Sequence, residues 1–326
     1  MNMPPRIKSF VLLFGLIFAI FGHPLSTPAQ GKNYAHVVLL SDPHLPGRII
    51  PMKQKAIETI NSWMDGDMVV ALGDICEDLG TKEEYAYAQK FLSQINKPFY
   101  PIVGNHDYIY ADQKTPAGKR VKASSSVNQE KLQRFRETFS LPDLQYSKKV
   151  GPYLLIFLSV DDLYGNFLAE VSGKSLDWVQ SEVNVHKKVP TMIFFHAPLK
   201  GTLMSKNNHT ETDNFIAQPY RKIRKLILEN PQIFLWVSGH THVAPTNAKF
   251  HDKVNVYEKR VTNIHNCDMD GRSYLADTDY ETRRHDQIWT NSLYLYQEKI
   301  MIKTYDHKKG QWLENLTREV LPNQEK

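Results

Sequence analysis

The sequence predicts an α/β fold, since short, wholly apolar runs alternate with segments of helical periodicity. Such runs are typical of strands that are buried on both faces, as in parallel sheets. A strand–helix–strand order favours right-handed crossovers between neighbouring strands. The chain has 326 residues, of which 41% are hydrophobic, so it can form one substantial core. Because no repeat or low-complexity segment divides it, we interpret residues 30–326 as a single domain.

The predicted elements alternate along most of the chain. In order they are strand 37–40, helix 53–64, strand 68–72, helix 83–95, strand 99–103, strand 153–159, helix 175–185, strand 191–195, helix 220–229 and strand 233–238. Two further runs, 292–296 and 300–305, are separated by only three residues and predict a hairpin near the end of the sequence.

The stretch 108–150 interrupts this alternation and is predicted to be a basic insertion. It carries nine Lys or Arg residues against four Asp or Glu residues. One helix is expected within it, at 128–139. The charge excess leaves two interpretations open: a solvated loop that keeps the chain soluble, or a lid that attracts an anionic ligand.

Residues 1–29 are interpreted as a signal peptide. Arg6 and Lys8 form a positive n-region, and an apolar run of 12 residues follows at 10–21. Small residues up to Ala29 suit cleavage at that point. Because a spanning helix needs roughly 20 apolar residues, we expect a secreted or periplasmic protein with no stable membrane anchor. The alternative is a protein that is membrane-anchored by its uncleaved amino terminus.

Composition limits the classes of partner. The formal net charge is +5, and removal of the two basic residues within 1–29 leaves 38 basic and 35 acidic residues. So small an excess does not predict specific nucleic-acid binding.

The two cysteines, Cys76 and Cys267, are expected to be free and buried, although export would permit a disulfide. The sequence predicts no oligomeric state.

Five short polar motifs follow apolar runs, in one order along the chain. They are Asp42-Pro43-His44, Gly73-Asp74, Gly104-Asn105-His106-Asp107, His196-Ala197-Pro198 and Gly239-His240-Thr241-His242. Each motif is therefore expected at the carboxyl end of a strand, where α/β sheets bind ligands. Oxygen ligands combined with imidazole nitrogens are the set that two divalent cations require. Two such cations can share one hydroxide nucleophile, so the motifs predict a two-metal hydrolytic site.

The order and spacing of these motifs resemble the calcineurin-like metallophosphoesterase superfamily, and the likeness extends from His36 to about His242. The resemblance implies a four-layer α/β/β/α sandwich of two mixed sheets. It also implies two divalent or trivalent metal ions, with Mn, Fe or Zn as the expected metals. Carried over by position, Asp74 would bridge both ions. One ion would be held by Asp42, His44 and His242, and the other by Asn105, His196 and His240.

By the same resemblance, His106 would face the substrate. It would stabilise the phosphoryl oxygens and protonate the leaving oxygen as a general acid. Asp107 is expected to orient His106, because an acidic partner fixes the tautomer of an imidazole. Tyr108 and Tyr110 follow directly, and they either stack on a base or sugar of the substrate or pack locally.

Departures from related patterns narrow the resemblance. Protein Ser/Thr phosphatases continue Gly-Asp with two residues and then Asp-Arg-Gly, whereas this chain has Glu77-Asp78-Leu79 and lacks the Arg. Purple acid phosphatases place a Tyr ligand three residues after the bridging Asp, whereas this chain has Glu77. Segments 73–80 and 98–107 instead resemble the class III cyclic-nucleotide phosphodiesterase-like branch, which also includes enzymes with other substrates.

Together these residues predict an exported metal-dependent phosphoesterase that hydrolyses phosphodiester or phosphomonoester bonds of a small phosphoester substrate. The alternative is a catalytically inactive metal-binding scaffold or binding protein on the same fold. The presence of all seven candidate ligands and of His106 favours the enzyme.

The signal-peptide interpretation generates a direct prediction. Exported protein is expected to begin near Gln30 or Lys32, because the apolar run is too short to remain as a spanning anchor. Amino-terminal sequencing of protein from the periplasm or the medium measures this. An intact Met1 on protein recovered from the membrane fraction would contradict cleavage.

Overall fold

Two mixed β-sheets form the centre of the protein in the computed structural model, which describes residues 31–202, 212–247, 250, 255–273 and 284–322. The predicted signal peptide lies outside the described residues. In chain order the strands are β1 (Tyr34–Leu40), β2 (Met68–Ala71), β3 (Phe99–Pro101), β4 (Tyr146–Val150), β5 (Tyr153–Leu158), β6 (Thr191–Phe195), β7 (Ile233–Ser238), β8 (Val256–Tyr257), β9 (Val261–His265), β10 (Arg272–Ser273), β11 (Arg284–His285), β12 (Trp289–Tyr296), β13 (Ile300–Asp306), β14 (Gln311–Trp312) and β15 (Arg318–Val320).

Six α-helices are found in the described part of the chain. They are α1 (Ile50–Ser62), α2 (Lys82–Leu92), α3 (Asn105–Tyr108), α4 (Ser125–Thr138), α5 (Gly173–Val185) and α6 (Tyr220–Glu229). Within the same residues, none of the helices has the length and apolar character that a bilayer crossing requires.

The parallel strands of each sheet determine where the polar loops meet. The first sheet has the order β14-β13-β12-β1-β2-β3, with β15 also paired to β13, and β1, β2 and β3 run parallel. The second has the order β4-β5-β6-β7-β9-β8, and β5, β6, β7 and β9 run parallel. Antiparallel neighbours such as β12 and β4 make both sheets mixed.

Alternate residues of β1 show how the layers are arranged. Val37 and Leu39 belong to a buried cluster that also contains Phe157 and Phe194 of the second sheet, so this cluster lies between the sheets. Val38 and Leu40 lie in a second cluster. That cluster also contains buried side chains of α1, α2, α5 and α6. Because successive side chains of a strand point to opposite faces, the helices cover the outer faces. The four-layer α/β/β/α sandwich of two mixed sheets is confirmed.

The strongly apolar elements match their predicted positions, whereas the edge strand β4 and the more polar strand β9 are among the strands that were not predicted. The hairpin is confirmed as β12 and β13, in which Leu293 pairs with Ile302. Strand β4 lies inside the stretch 108–150. It was not predicted because Lys148 and Lys149 interrupt its apolar pattern, and charged side chains of this kind are typical of edge strands. Strand β9 was not predicted because its polar Thr262 and Asn263 interrupt a short apolar run.

Both cysteines are free and buried, as expected.

Removal of one ring between the sheets should test this packing. Phe157 is fully buried, and its ring centroid lies 5.2 Å from that of Phe194 and 4.8 Å from that of Tyr146. Phe157→Ala should lower the free energy of unfolding by about 3–5 kcal/mol, since it leaves a cavity in the core. Urea denaturation measures the loss, with Val185→Ala on an exposed helix face as control. Equal stability of the two variants would contradict the layer assignment.

Candidate metal centre

The five polar motifs converge at one edge of the sandwich, each just after a strand end. Asp42 follows β1, Asp74 follows β2 and Asn105 follows β3 in the first sheet. His196 follows β6, and the His240–His242 motif follows β7 in the second. The carboxyl ends of parallel strands from both sheets therefore supply the site, as their positions in the sequence indicated.

The structure brings all seven predicted ligands together in two groups that share one carboxylate. Ligand atoms of the first group, Asp42, His44, Asp74 and His242, all lie within 4.8 Å of one another. In the second group, ligand atoms of Asp74, His196 and His240 meet the same limit. The remaining ligand, Asn105, joins this second group, because its Oδ1 lies 3.2 Å from Nε2 of His196.

Most of these residues adopt a backbone conformation that non-glycine residues rarely adopt. Five of the seven have positive φ angles: Asp42 (48°), His44 (45°), Asp74 (50°), His240 (65°) and His242 (49°). Left-handed conformations of this kind cost about 1–3 kcal/mol each and accumulate at functional sites. The turns after β1, β2 and β7 are therefore strained, and their strained backbone directs the ligand side chains towards one point.

Glycines next to the ligands provide the room for this convergence. A Cβ atom on Gly73 would lie 2.7 Å from Nδ1 of His196, and one on Gly104 would lie 2.9 Å from Cε1 of the same ring. The Gly104 Cβ would also collide with the backbone and carboxylate of Asp74, and a Cβ on Gly239 would collide with Asp42. These collisions explain why three of the motifs place a glycine immediately before a ligand.

Three predicted histidine ligands are oriented by hydrogen bonds to backbone carbonyls. His44 Nδ1 donates to Glu77 (3.2 Å), His196 Nδ1 to Leu72 (2.7 Å) and His240 Nε2 to Asn214 (3.0 Å). Because a carbonyl can only accept, each bond fixes the tautomer and leaves a lone pair on the other ring nitrogen. The free nitrogens are Nε2 of His44, Nε2 of His196 and Nδ1 of His240.

The available atoms face a common space around Asp74. His196 Nε2 lies 3.3 Å from Asp74 Oδ1, while His242 Nε2 lies 3.0 Å from Asp42 Oδ1 and 3.5 Å from His44 Nε2. The donor set combines carboxylate and amide oxygens with imidazole nitrogens. This chemistry fits Mn, Fe or Zn, which accept such mixed oxygen and nitrogen ligands. The residues present thus fit a pair of such ions.

Electrostatics inside the site favour charged carboxylates. Burial acts to raise the pKa of Asp74, but the charges of His196 and His106 outweigh it and hold this pKa well below its usual range. Burial alone would lower the pKa of His196, and the Asp74 carboxylate reverses this effect and raises it. Burial and the charge of His196 lower the pKa of His240 to about 3. Metal ligands must be deprotonated, so cations bound here would compete with protonation of His196.

His106 lies beside this space and is held differently from the prediction. Its Nδ1 donates to the carbonyl of Asp78 (3.0 Å), and its Nε2 lies 3.9 Å from Asp74 Oδ2. The carboxylate of Asp107 accepts from the backbone N–H groups of Cys76 (2.9 Å) and Gly104 (2.7 Å). The predicted orientation of His106 by Asp107 is therefore wrong. Adjacent residues in α3 do not face each other, so a carbonyl takes this role.

Comparison with known proteins assigns the chain to a family. The model of the family described as calcineurin-like phosphoesterase matches residues 35–244, which include all five motifs. The chain belongs to the calcineurin-like phosphoesterase family. Members of this family use a dinuclear metal centre, and the two groups of ligands agree with such a centre.

Two curated relatives of this calcineurin-like phosphoesterase are named as phosphodiesterases. The chain is 27% identical over 176 residues to a 3′,5′-cyclic-nucleotide phosphodiesterase of Nostoc sp., covering 54% of this chain and 56% of the relative. It is 22% identical over 183 residues to a probable glycerophosphodiester phosphodiesterase of Arcobacter nitrofigilis, covering 55% and 58%. The chain thus spans just over half the length of the curated relatives it matches.

Solved structures share the fold of this calcineurin-like phosphoesterase at low sequence identity. GAP50, described as the anchor in the inner membrane complex of Plasmodium, aligns with a TM-score of 0.59 and 13% identity over 90% of this chain and 91% of that one. A dimetal phosphatase of Danio rerio aligns with a TM-score of 0.55 and 12% identity over 89% and 99%. At such identities the likeness establishes the fold alone.

One loop of the centre was missed by sequence reasoning. Residues 267–272 follow β9, and Met269 N donates to the carbonyl of Ser41 (3.0 Å), which places this loop against the first group of ligands. Oδ2 of Asp268 lies 3.7 Å from Nδ1 of His242. The acidic residues of this loop could have been recognised as a further strand-end motif only if β9 had been predicted.

A buried lysine connects this missed loop to the first motif. Lys53 is fully buried on α1, and its Nζ donates to the carbonyl of His44 (2.9 Å) and to Oδ1 of Asp270 (2.9 Å). Asp270 also accepts from the backbone N–H of Arg48 (2.7 Å). The buried ion pair between Lys53 and Asp270 therefore fixes the turn that presents His44. From the sequence, Lys53 was predicted only as part of a helix.

The basic stretch 108–150 is tied to the centre through its charges. Lys114 and Arg120 both form ion pairs with Asp78, the residue whose carbonyl orients His106. Lys131 is fully buried and donates to the carbonyls of Leu79 (2.6 Å) and Tyr110 (2.6 Å).

The two tyrosines that follow the third motif, Tyr108 and Tyr110, have different surroundings. Tyr108 is buried and donates to the carbonyl of Asp162 (3.1 Å), so it packs locally. Tyr110 borders His106, with ring centroids 5.6 Å apart.

Crowding at Gly104 provides a test of the site. Gly104→Ala should weaken metal binding strongly, because its Cβ would displace Asp74 and His196. Calorimetric titration with Mn²⁺ measures the affinity, and circular dichroism checks the fold. Gly173→Ala is the matched control, since no atom lies within 4 Å of its Cβ position. Wild-type metal affinity in Gly104→Ala would contradict the geometry.

Proposed function

We propose that this calcineurin-like phosphoesterase is an exported, metal-dependent hydrolase of small phosphoesters, cleaving phosphodiester or phosphomonoester bonds. The observation that carries the proposal is the convergence of seven oxygen and nitrogen ligands in two groups around Asp74. The retained His106 beside those groups adds a residue that can act on the substrate. Neither nucleic acid nor a membrane is part of the proposal.

We infer from the ligand groups which residues would hold each metal. Asp42, His44 and His242 would hold one ion, and Asn105, His196 and His240 the other, with Asp74 shared between them. When bound, the ions supply Lewis-acid stabilisation of phosphoryl oxygens and a water nucleophile of lowered pKa. Asp42 and Asp74 are the only carboxylates among the seven, so the centre retains net positive charge and attracts an anionic phosphoester.

In this proposal His106 acts on the substrate rather than on the ions. Its Nδ1–H is held by the Asp78 carbonyl, so its Nε2 points towards Asp74 and the shared space. Burial lowers the pKa of His106, and the Asp74 carboxylate opposes that effect. After gaining a proton, Nε2 can donate a hydrogen bond to a phosphoryl oxygen or transfer the proton to the leaving oxygen.

The names of the curated relatives favour diesters as the first substrates to test. One is named for 3′,5′-cyclic nucleotides and the other for glycerophosphodiesters, and both matches lie below 30% identity. Both names describe a phosphodiester that joins small groups. We therefore choose bis-p-nitrophenyl phosphate as the general probe, and p-nitrophenyl phosphate as the monoester comparison.

Two substitutions separate metal binding from catalysis. Asp74→Ala should lose bound metal and turnover together, because it removes the carboxylate that both groups share. His106→Ala should retain metal while turnover of bis-p-nitrophenyl phosphate falls by roughly 10²–10⁴-fold, the usual contribution of an acid–base residue. Elemental analysis and steady-state kinetics with added Mn²⁺ measure both effects.

The controls distinguish the enzyme from the inactive scaffold. Chelation should abolish turnover by the wild-type protein, and Mn²⁺ should restore it. Loss of metal from His106→Ala would contradict its role. Full metal occupancy without turnover of any phosphoester would favour the metal-binding scaffold instead.

A further inference from the structure

Arg272 places a guanidinium at the edge of the metal centre, outside the five motifs. Its Nη2 lies 3.4 Å from Nε2 of His242, and its side chain is only 18% exposed. Burial lowers the pKa of both His44 and His106, and the positive charge of Arg272 acts in the same direction on each. The guanidinium is therefore within electrostatic reach of both rings.

A buried carboxylate fixes the direction of this guanidinium. Asp268 is fully shielded from solvent, its Oδ2 forms an ion pair with Nε of Arg272, and its Oδ1 accepts from the Arg272 backbone N–H (2.9 Å). The same Oδ2 lies 3.7 Å from Nδ1 of His242. Asp268 thus holds the Nε side, while Nη2 lies beside His242 at the centre. Planar guanidinium donors of this kind match the spacing of phosphate oxygens.

The charges around Arg272 indicate what should lie between it and the centre. Nη2 of Arg272 lies beside His242, a predicted ligand of the first group. An anion bound between a guanidinium and a cation site is attracted by both. A phosphoryl group supplies that anion and has enough oxygens to contact both sides.

We propose that Arg272, oriented by Asp268, binds a phosphoryl oxygen of the substrate and of inorganic phosphate at the metal centre. This inference rests on the proposed function and names a further substrate-binding residue for it. Two other cations near the centre, Lys114 and Arg120, are paired with Asp78, whose carbonyl orients His106. Arg272 instead lies next to His242.

Binding of inorganic phosphate to the Mn²⁺-loaded protein tests this without requiring turnover. Arg272→Ala should raise the Kd for phosphate, measured by calorimetry, by roughly 10- to 100-fold, the effect of losing a charge-assisted hydrogen bond. KM for bis-p-nitrophenyl phosphate should rise with it, while the manganese content stays at the wild-type value. Arg224→Ala is the matched control, because Arg224 also pairs with a carboxylate, Glu258, but on an exposed surface.

Arg272→Lys keeps the charge beside Asp268 and carries the test if the alanine variant does not fold. Lysine lacks the planar fork, so its Kd for phosphate should still rise several-fold, with normal metal content. An unchanged Kd in the folded variants, or loss of manganese from them, would overturn the proposal and assign Arg272 a purely structural role. Failure of the wild-type protein to bind phosphate would also overturn it. Absence of wild-type turnover with phosphate binding intact would count against the proposed function alone.

Discussion

The metal centre depends on one loop, the segment 72–78 that follows β2. This loop supplies Asp74, the carboxylate shared by both ligand groups, and three of its carbonyls orient histidines of other loops. Leu72 accepts from His196, Glu77 from His44 and Asp78 from His106. Because an imidazole ligand binds only in the correct tautomer, the same backbone that places the bridging carboxylate also sets the chemistry of its neighbours.

This dependence explains the role of Asp107, which the motif alone did not reveal. Its carboxylate accepts from the N–H of Cys76 within the loop and from the N–H of Gly104. It therefore holds the loops after β2 and β3 together, whereas the Asp78 carbonyl orients His106. Burial, together with the charge of Asp74, raises the pKa of Asp107, while the two backbone donors act in the opposite direction.

The sequence was sufficient for features that follow from hydrophobic patterning and from the motif residues. Strands such as β6 and β7 are uniformly apolar, and this predicts both their position and the loops after them. It was insufficient where function depends on backbone geometry or on weakly patterned segments. The left-handed turns at the ligands, the carbonyl bonds to the histidines and the loop after β9 follow from tertiary packing, which no local pattern records.

If Arg272 binds phosphate as proposed, the absence of a motif residue does not remove the function that the residue performs elsewhere. At the place where protein Ser/Thr phosphatases have Asp-Arg-Gly, this chain has Glu77-Asp78-Leu79, so the loop after β2 contributes no guanidinium. Here Glu77 and Asp78 contribute carbonyls to the histidines, and Asp78 also anchors Lys114 and Arg120. A guanidinium nevertheless reaches the centre from residue 272, next to His242. Under the proposed function, recognition of the phosphoryl group would be a property of the assembled strand ends, and any loop that reaches this edge of the sandwich could supply the donor.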